Sequence, residues 1–130
     1  MQESKSPLGQ VKHLGSARSG TEHFIRQRVT AVFLIPLMVW FVVSMMCMVK
    51  APERTPEFIA SPWTMFLSVF FSGTILYHGY LGMQTIMEDY IHCKYLRNFL
   101  LLSLLAICIV TFIGTCVTFF GLHFIYLIKN

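Results

Sequence analysis

The sequence predicts an all-α integral membrane protein with three transmembrane helices. Only 12% of its 130 residues are charged, whereas 55% are hydrophobic and the mean hydropathy is +0.64. A typical soluble domain has about 25% charged residues, so these values exclude a disordered chain and argue against a soluble one. The charged residues also leave three long gaps, at 29–49, 61–87 and 99–128. Each gap reaches the length of about 20 residues that a helix needs to cross a bilayer.

The segments around the three predicted spans differ in composition. Residues 1–28 are polar and lack the apolar core of a signal peptide, although a mitochondrial transit peptide stays open as an alternative. Residues 29–130 form one predicted membrane domain. Pro36 lies inside the first span and is expected to bend it, because proline removes a backbone hydrogen bond. Residues 50–60 contain two prolines and predict a short extramembrane turn, and residues 88–98 form the second connection.

The basic residues predict how the chain is oriented in the membrane. Seven of the ten lie in the N-terminal segment and the second connection, and three lie on the opposite side. The positive-inside rule therefore places the N-terminus in the cytoplasm or a mitochondrial matrix. The net charge is +4, and the basic residues that produce it flank the apolar stretches. We therefore interpret them as anchors to lipid headgroups and not as a nucleic-acid surface. The seven basic residues on the inner side are Lys5, Lys12, Arg18, Arg26, Arg28, Lys94 and Arg97. The three on the opposite side are Lys50, Arg54 and Lys129.

The four cysteines predict neither a disulfide nor a metal centre. None of them forms a CxxC pair, and two lie within the third predicted span. We therefore expect them to act as small buried hydrophobic side chains. They are Cys47, Cys93, Cys108 and Cys116.

The second predicted span carries a narrow polar stripe. At 100° per residue, its members fall within about 40° of His78 on a helical wheel. Such a stripe should face protein or a cofactor, because polar groups in lipid are costly. The opposite face is apolar and suits lipid or another helix. The stripe comprises Thr74, His78, Gly82, Thr85 and Asp89; the opposite face comprises Leu76, Tyr80, Met83 and Met87.

His78 is the candidate for chemistry in this stripe. It lies eleven residues before Asp89, or roughly 16 Å deeper along the helix, near the middle of the membrane. A histidine at this depth is typical of a haem ligand, a proton relay or an interhelical hydrogen bond. The other intramembrane histidine, His123, is expected near the outer surface, too far away to bind the same iron. A second axial ligand would therefore come from another chain.

The second span also resembles a known family. Residues 76–83 read LYHGYLGM and residues 88–90 read EDY. This pattern resembles the HxxxGxxxxxxDY signature of the small membrane-anchor subunits of succinate dehydrogenase, respiratory complex II. Residues 19–31 are similar to the segment that precedes the first helix in the alphaproteobacterial members, and three spans with an inside N-terminus agree with the family.

The resemblance implies roles for five residues. His78 matches the axial ligand of haem b, and the companion anchor subunit would supply the other histidine. Asp89 and Tyr90 match the pair at the ubiquinone pocket, where the tyrosine hydroxyl hydrogen-bonds a quinone carbonyl. Arg28 matches an arginine near the haem propionates and the quinone, and Gly82 matches the glycine of the motif. From position alone, Tyr90 also fits an aromatic belt, Asp89 a helix cap or a partner of a nearby lysine, and Arg28 a headgroup anchor.

The resemblance implies a subunit without independent activity. With a second cytochrome b anchor subunit it would hold haem b, complete a ubiquinone site, and dock the flavoprotein and iron–sulfur subunits that oxidise succinate. The location would be a bacterial or mitochondrial inner membrane. Two alternatives are an anchor of fumarate reductase, which runs the reaction backwards with menaquinone, and a structural or assembly membrane protein without a cofactor.

Overall fold

The computed structural model describes residues 18–129, and this part of the chain is almost entirely helical. Helix α1 spans Arg18–Lys50, a 3-10 turn spans Pro52–Arg54, α2 spans Thr55–Ala60, α3 spans Pro62–Tyr90 and α4 spans Lys94–Lys129. No strand occurs among the described residues, so the all-α prediction is confirmed.

Two helices are long and apolar enough to cross a membrane by themselves, over Thr21–Lys50 and Lys94–Lys129. The middle helix, α3, meets the same test only together with α2, from which a bend of 78° separates it. Residues 18–129 therefore contain two candidate spans, or three when the bent pair is taken as one. Its long apolar helices are those of a membrane-embedded protein.

The helices extend beyond the borders expected from charge. Helix α1 includes residues 18–28 of the predicted N-terminal segment, while residues 1–17 of that segment lie outside the described part of the chain. Helix α1 also continues through Pro36. Residues 50–60, predicted to be a turn, are largely helical: a proline lies in the first turn of both the 3-10 turn and α2. Proline is tolerated there because the first N–H groups of a helix have no partner within the helix.

Helix α3 lies in the middle and packs against α1 on one side and α4 on the other. Towards α1, the rings of Phe41 and Phe71 stack with centroids 5.0 Å apart. Towards α4, Ser72 Oγ donates a hydrogen bond of 3.3 Å to Thr115 Oγ1, and Cys108 Sγ approaches the carbonyl oxygen of Leu76 at 4.0 Å. The apolar side of α3, with Leu76, thus faces another helix, which was one of its two expected environments.

Few side chains are buried within this row of helices. Between residues 21 and 129, the buried apolar residues are Leu37, Ala60 and Leu81, and most large apolar side chains of α1 and α4 are exposed. Extensive apolar exposure marks a surface for lipid or protein partners. The expectation of buried cysteines is wrong for Cys47 and Cys93, which are exposed because the row of helices has little interior, and the other two are only partly buried.

His123 is far from His78 and joins two helices at the other end of the molecule. Its Nδ1 donates a hydrogen bond of 2.6 Å to the carbonyl oxygen of Ala60, the last residue of α2. This bond ties α4 to the start of α3, at the end opposite Tyr90. The two histidines are therefore separated along the bundle, as the depth estimate required.

Gly73 allows α3 and α4 to approach closely, which gives a testable stability difference. A Cβ atom on Gly73 would lie 3.1 Å from Phe112 Cε2, whereas a Cβ atom on Gly114 would meet nothing within 4 Å. Both alanine variants gain helix propensity, but only Gly73→Ala must displace a ring. We expect Gly73→Ala to be about 1–2 kcal/mol less stable than Gly114→Ala in thermal unfolding of the detergent-purified protein. Equal stability would show that Phe112 moves aside without cost.

Candidate functional site

The polar stripe of α3 faces α1 at its centre. Thr30 Oγ1 lies 2.9 Å from His78 Nδ1, so these two side chains share a hydrogen bond between the helices. One turn further along, a Cβ atom on Gly82 would lie 3.7 Å from Gln27 Nε2. The chain therefore covers one ring edge of His78 with its own first helix.

The opposite edge of the His78 ring has no protein partner among the described residues. In residues 21–129, the one buried side-chain nitrogen or oxygen without a hydrogen-bond partner is His23 Nε2. His78 Nε2 makes no hydrogen bond with the described residues, and the His78 residue as a whole is partly exposed. The imidazole is thus held by α1 at Nδ1 and has no hydrogen-bond partner at Nε2 among the described residues.

The two threonines of the stripe are satisfied within α3. Thr74 Oγ1 donates to the carbonyl oxygen of Phe70 at 2.8 Å, and Thr85 Oγ1 donates to that of Leu81 at 3.2 Å. These hydroxyls therefore need no external partner. Among the polar atoms of the stripe, His78 Nε2 and the carboxylate of Asp89 remain unpaired by the described residues.

Asp89 and Tyr90 end α3, and both are exposed; Tyr90 has 79% of its surface accessible. Neither forms a hydrogen bond or an ion pair within the described range, where the one ion pair joins Arg26 to Glu22. The alternative that Asp89 pairs with a nearby lysine is therefore not seen. The eleven residues from His78 correspond to roughly 16 Å of helix, so the structure does not bring the pair to the imidazole.

Arg28 lies on another side of α1 from the contact with His78. Its Cζ lies 5.0 Å from the centroid of the Phe24 ring, and the side chain is exposed. Gln27 and Thr30 face α3, and Arg28 follows Gln27 by about 100° around the helix axis. Arg28 is therefore separate from the His78 contact within this chain.

A second surface feature lies on the apolar side of α3. It is a cavity of about 320 Å³ between α3 and α4, lined by residues that include Leu76, Tyr80 and Phe112. Its lining is almost wholly apolar and includes no residue of the polar stripe. The cavity is therefore distinct from the surroundings of His78.

The site residues missed by sequence reasoning are those of α1. His23, Gln27 and Thr30 recur at spacings of four and three, which places them on one helix face. Gln27 and Thr30 contact the stripe, and His23 has a buried, unpaired Nε2. The same wheel that revealed the stripe of α3 would have revealed this face on α1.

The donor set fits a group that needs a single ligand from this chain. Within the described residues, no three His, Cys, Asp or Glu side chains lie close enough to hold a metal ion. One accessible imidazole cannot form a bare-ion site, but it suffices for one axial position of a porphyrin iron. Together, the long apolar helices and the single histidine of the polar stripe define a membrane-embedded helical protein with one imidazole that fits such a position.

Comparison with known proteins identifies the family. Residues 2–123 match the model of the succinate dehydrogenase/fumarate reductase transmembrane subunit. The succinate dehydrogenase hydrophobic membrane anchor subunits of Rickettsia bellii and Rickettsia conorii are 30% and 32% identical, over 89% of this chain and 94% of theirs. That of Rickettsia prowazekii is 29% identical with the same coverage. No solved structure matches significantly.

The chain belongs to the succinate dehydrogenase/fumarate reductase transmembrane subunit family. Within it, the chain is of the hydrophobic membrane anchor type of succinate dehydrogenase, part of an oxidoreductase complex. The resemblance noted from HxxxGxxxxxxDY is confirmed.

Proposed function

We propose that this chain anchors a succinate:ubiquinone oxidoreductase in the membrane and supplies one axial ligand, His78, to haem b. The observation that supports this proposal most is the difference between the two ring nitrogens of His78. Thr30 holds Nδ1 at 2.9 Å, Nε2 has no hydrogen-bond partner among the described residues, and the His78 residue is partly exposed. A histidine that served only to join helices would have no need of an open nitrogen near the middle of an apolar helix.

The proposed topology has three spans. The bent pair of α2 and α3 forms the second span, between the two helices that qualify alone. The surplus of lysine and arginine around residues 1–28 and 88–98 supports an N-terminus in the cytoplasm or matrix of an inner membrane. With this orientation, Tyr90 lies at the inner surface and His123 near the outer one.

Haem iron supplies one-electron redox chemistry when bound, and this chain's part is to hold and orient it. His78 would donate the Nε2 lone pair from α3. The second axial histidine would come from a second cytochrome b anchor subunit, because His123 is tied to Ala60 at the far end of the bundle. Gly82 leaves room beside His78, where Gln27 lies against it. Arg28 would reach the propionates only from the side of α1 that faces away from α3.

Asp89 and Tyr90 would serve ubiquinone. Reduction of a quinone takes two electrons and two protons, so its pocket needs a hydrogen-bond donor and a path to water. The exposed Tyr90 hydroxyl can donate to a quinone carbonyl, and the exposed Asp89 carboxylate can exchange protons with water. That neither side chain has a partner in the described range supports a pocket completed by other subunits.

The exposed apolar surface supports assembly with partners. The flavoprotein and iron–sulfur subunits would dock on the inner side and deliver electrons from succinate to the quinone. A fumarate reductase anchor is a second candidate, since the matching family model covers both enzymes. The names of the curated relatives favour the succinate-oxidising direction.

Purification from native membranes in a mild detergent tests this proposal. We expect the tagged chain to bring down a flavoprotein, an iron–sulfur protein and a second small membrane protein, with the optical spectrum of haem b. The ratio of ubiquinone reduction by succinate to fumarate reduction by menaquinol distinguishes the succinate-oxidising enzyme from a fumarate reductase. A colourless preparation without a flavoprotein would instead indicate a structural or assembly protein.

A further inference from the structure

We propose that Thr30 is a positioning residue for haem binding: its hydroxyl accepts a hydrogen bond from His78 Nδ1–H and so directs Nε2 toward the iron. This inference rests on the proposed role of His78 as an axial ligand. It adds a residue of the first helix, outside the HxxxGxxxxxxDY motif, to the binding of the cofactor.

The surroundings of the Thr30 hydroxyl determine which way the hydrogen bond runs. Oγ1 lies 3.0 Å from the carbonyl oxygens of both Arg26 and Gln27, one turn earlier in α1. A carbonyl can only accept, so the single hydroxyl proton is directed to this pair of oxygens. The lone pairs of Oγ1 are then free for His78, and Nδ1 at 2.9 Å must carry the proton.

The position of that proton fixes what the other nitrogen can do. A neutral imidazole has one N–H and one lone pair, so a proton on Nδ1 leaves the lone pair on Nε2. Nε2 is the nitrogen that forms no hydrogen bond with the described residues. The second nitrogen of a ligating histidine commonly donates to a fixed acceptor, which sets the tautomer, the ring orientation and the basicity of the ligand. Thr30 meets this description from a neighbouring helix.

Removal of the acceptor has a defined electronic effect. A hydrogen bond accepted from Nδ1–H makes the imidazole a stronger donor, which stabilises the ferric state. Without this hydrogen bond, the haem midpoint potential should rise, and the distribution of orientations of the His78 ring should broaden. Loss of such an outer partner typically weakens metal binding by about 10- to 100-fold. Because a second chain holds the same haem, we expect the lower end of this range.

Three substitutions distinguish a role of the Thr30 hydroxyl group from a role of its side-chain packing. Thr30→Val keeps the branched shape and removes the hydroxyl, while Thr30→Ser keeps the hydroxyl and removes the methyl group. Thr30→Ala differs from Thr30→Ser by one oxygen atom. Thr118→Val is the matched control, because the Thr118 hydroxyl also donates to a carbonyl one turn earlier, at 2.8 Å, but contacts no histidine in the described chain.

The intact complex, purified from membranes, is examined by redox titration of the haem absorbance and by low-temperature electron paramagnetic resonance of the ferric haem. We expect Thr30→Val and Thr30→Ala to raise the midpoint potential and shift the low-spin g values, with Thr30→Ser and Thr118→Val close to the parent. A packing role predicts a different order, with Val close to the parent and Ser and Ala shifted alike.

The outcomes separate this proposal from the one on which it rests. Parent-like potential and g values in both Thr30→Ala and Thr30→Val, with a haem spectrum that depends on His78, would overturn the role of Thr30 alone. A spectrum that does not respond to loss of His78 would overturn both. If the Thr30→Val complex fails to assemble, the comparison of Thr30→Ser with Thr30→Ala decides whether the hydroxyl matters. Identical redox titrations of these two variants would refute the role of the hydroxyl.

Discussion

Replacement of His78 by leucine is expected to change the haem b spectrum of the purified complex. Leucine fills a similar volume but has no nitrogen to bind iron, so the iron would lose the axial ligand that the proposed function assigns to this chain. The Thr30 hydroxyl keeps its contacts with the carbonyl oxygens of Arg26 and Gln27, so the substitution leaves no unsatisfied polar group on α1. The contact between α1 and α3 should therefore survive.

The measurement is a reduced-minus-oxidised difference spectrum, normalised to the flavin content of the complex. We expect a loss of at least half of the low-spin haem b signal. The haem that the variant complex retains should be in a high-spin form. His92→Leu is the control, because His92 is exposed and lies beyond the end of α3. A difference spectrum identical to that of the parent would refute the ligand assignment.

Replacement of Tyr90 by phenylalanine is expected to slow succinate-to-quinone electron transfer about three- to tenfold. The substitution removes one neutral hydrogen bond, worth about 0.5–1.5 kcal/mol, and 1.36 kcal/mol is a factor of ten in rate. Succinate oxidation with an artificial dye should persist, because the dye takes electrons before they reach the quinone. Tyr90 is 79% exposed, so its side chain makes few contacts with the rest of this chain. We therefore expect no folding defect from the loss of its hydroxyl group.

The two assays are compared on the same preparation. Tyr95→Phe is the matched control, because Tyr95 lies five residues later in the first turn of α4 and is 91% exposed. It should leave both rates unchanged. An equal loss in both assays for Tyr90→Phe would indicate defective assembly, and an unchanged quinone rate would remove Tyr90 from the quinone site.

The polar stripe of α3 shows how far the sequence predicts this site. A period of 3.6 residues places His78, Gly82 and Asp89 on one face whatever the surroundings are. What covers that face depends on the register between two helices that are far apart in the chain. The contact between Thr30 and His78 joins residues 48 positions apart, and no local pattern encodes that distance.

The connection at residues 50–60 shows the limit of the local rule for proline. Its prolines predict a turn, yet each lies in the first turn of a short helix, where proline is compatible. Helix α3 meets the length and hydropathy test for a span only together with α2, from which it is bent by 78°. Charge gaps predicted the long helices well, because the cost of burying charge in lipid dominates there.

The scarcity of buried side chains has a consequence for the life of the subunit in the cell. With Leu37, Ala60 and Leu81 as its buried apolar residues, the row of helices has little interior of its own. Most of the free energy that holds it in one conformation must then come from neighbouring subunits and lipids. An excess copy made without its companions is expected to be short-lived and open to proteolysis, so synthesis of this chain should be matched to that of the rest of the complex.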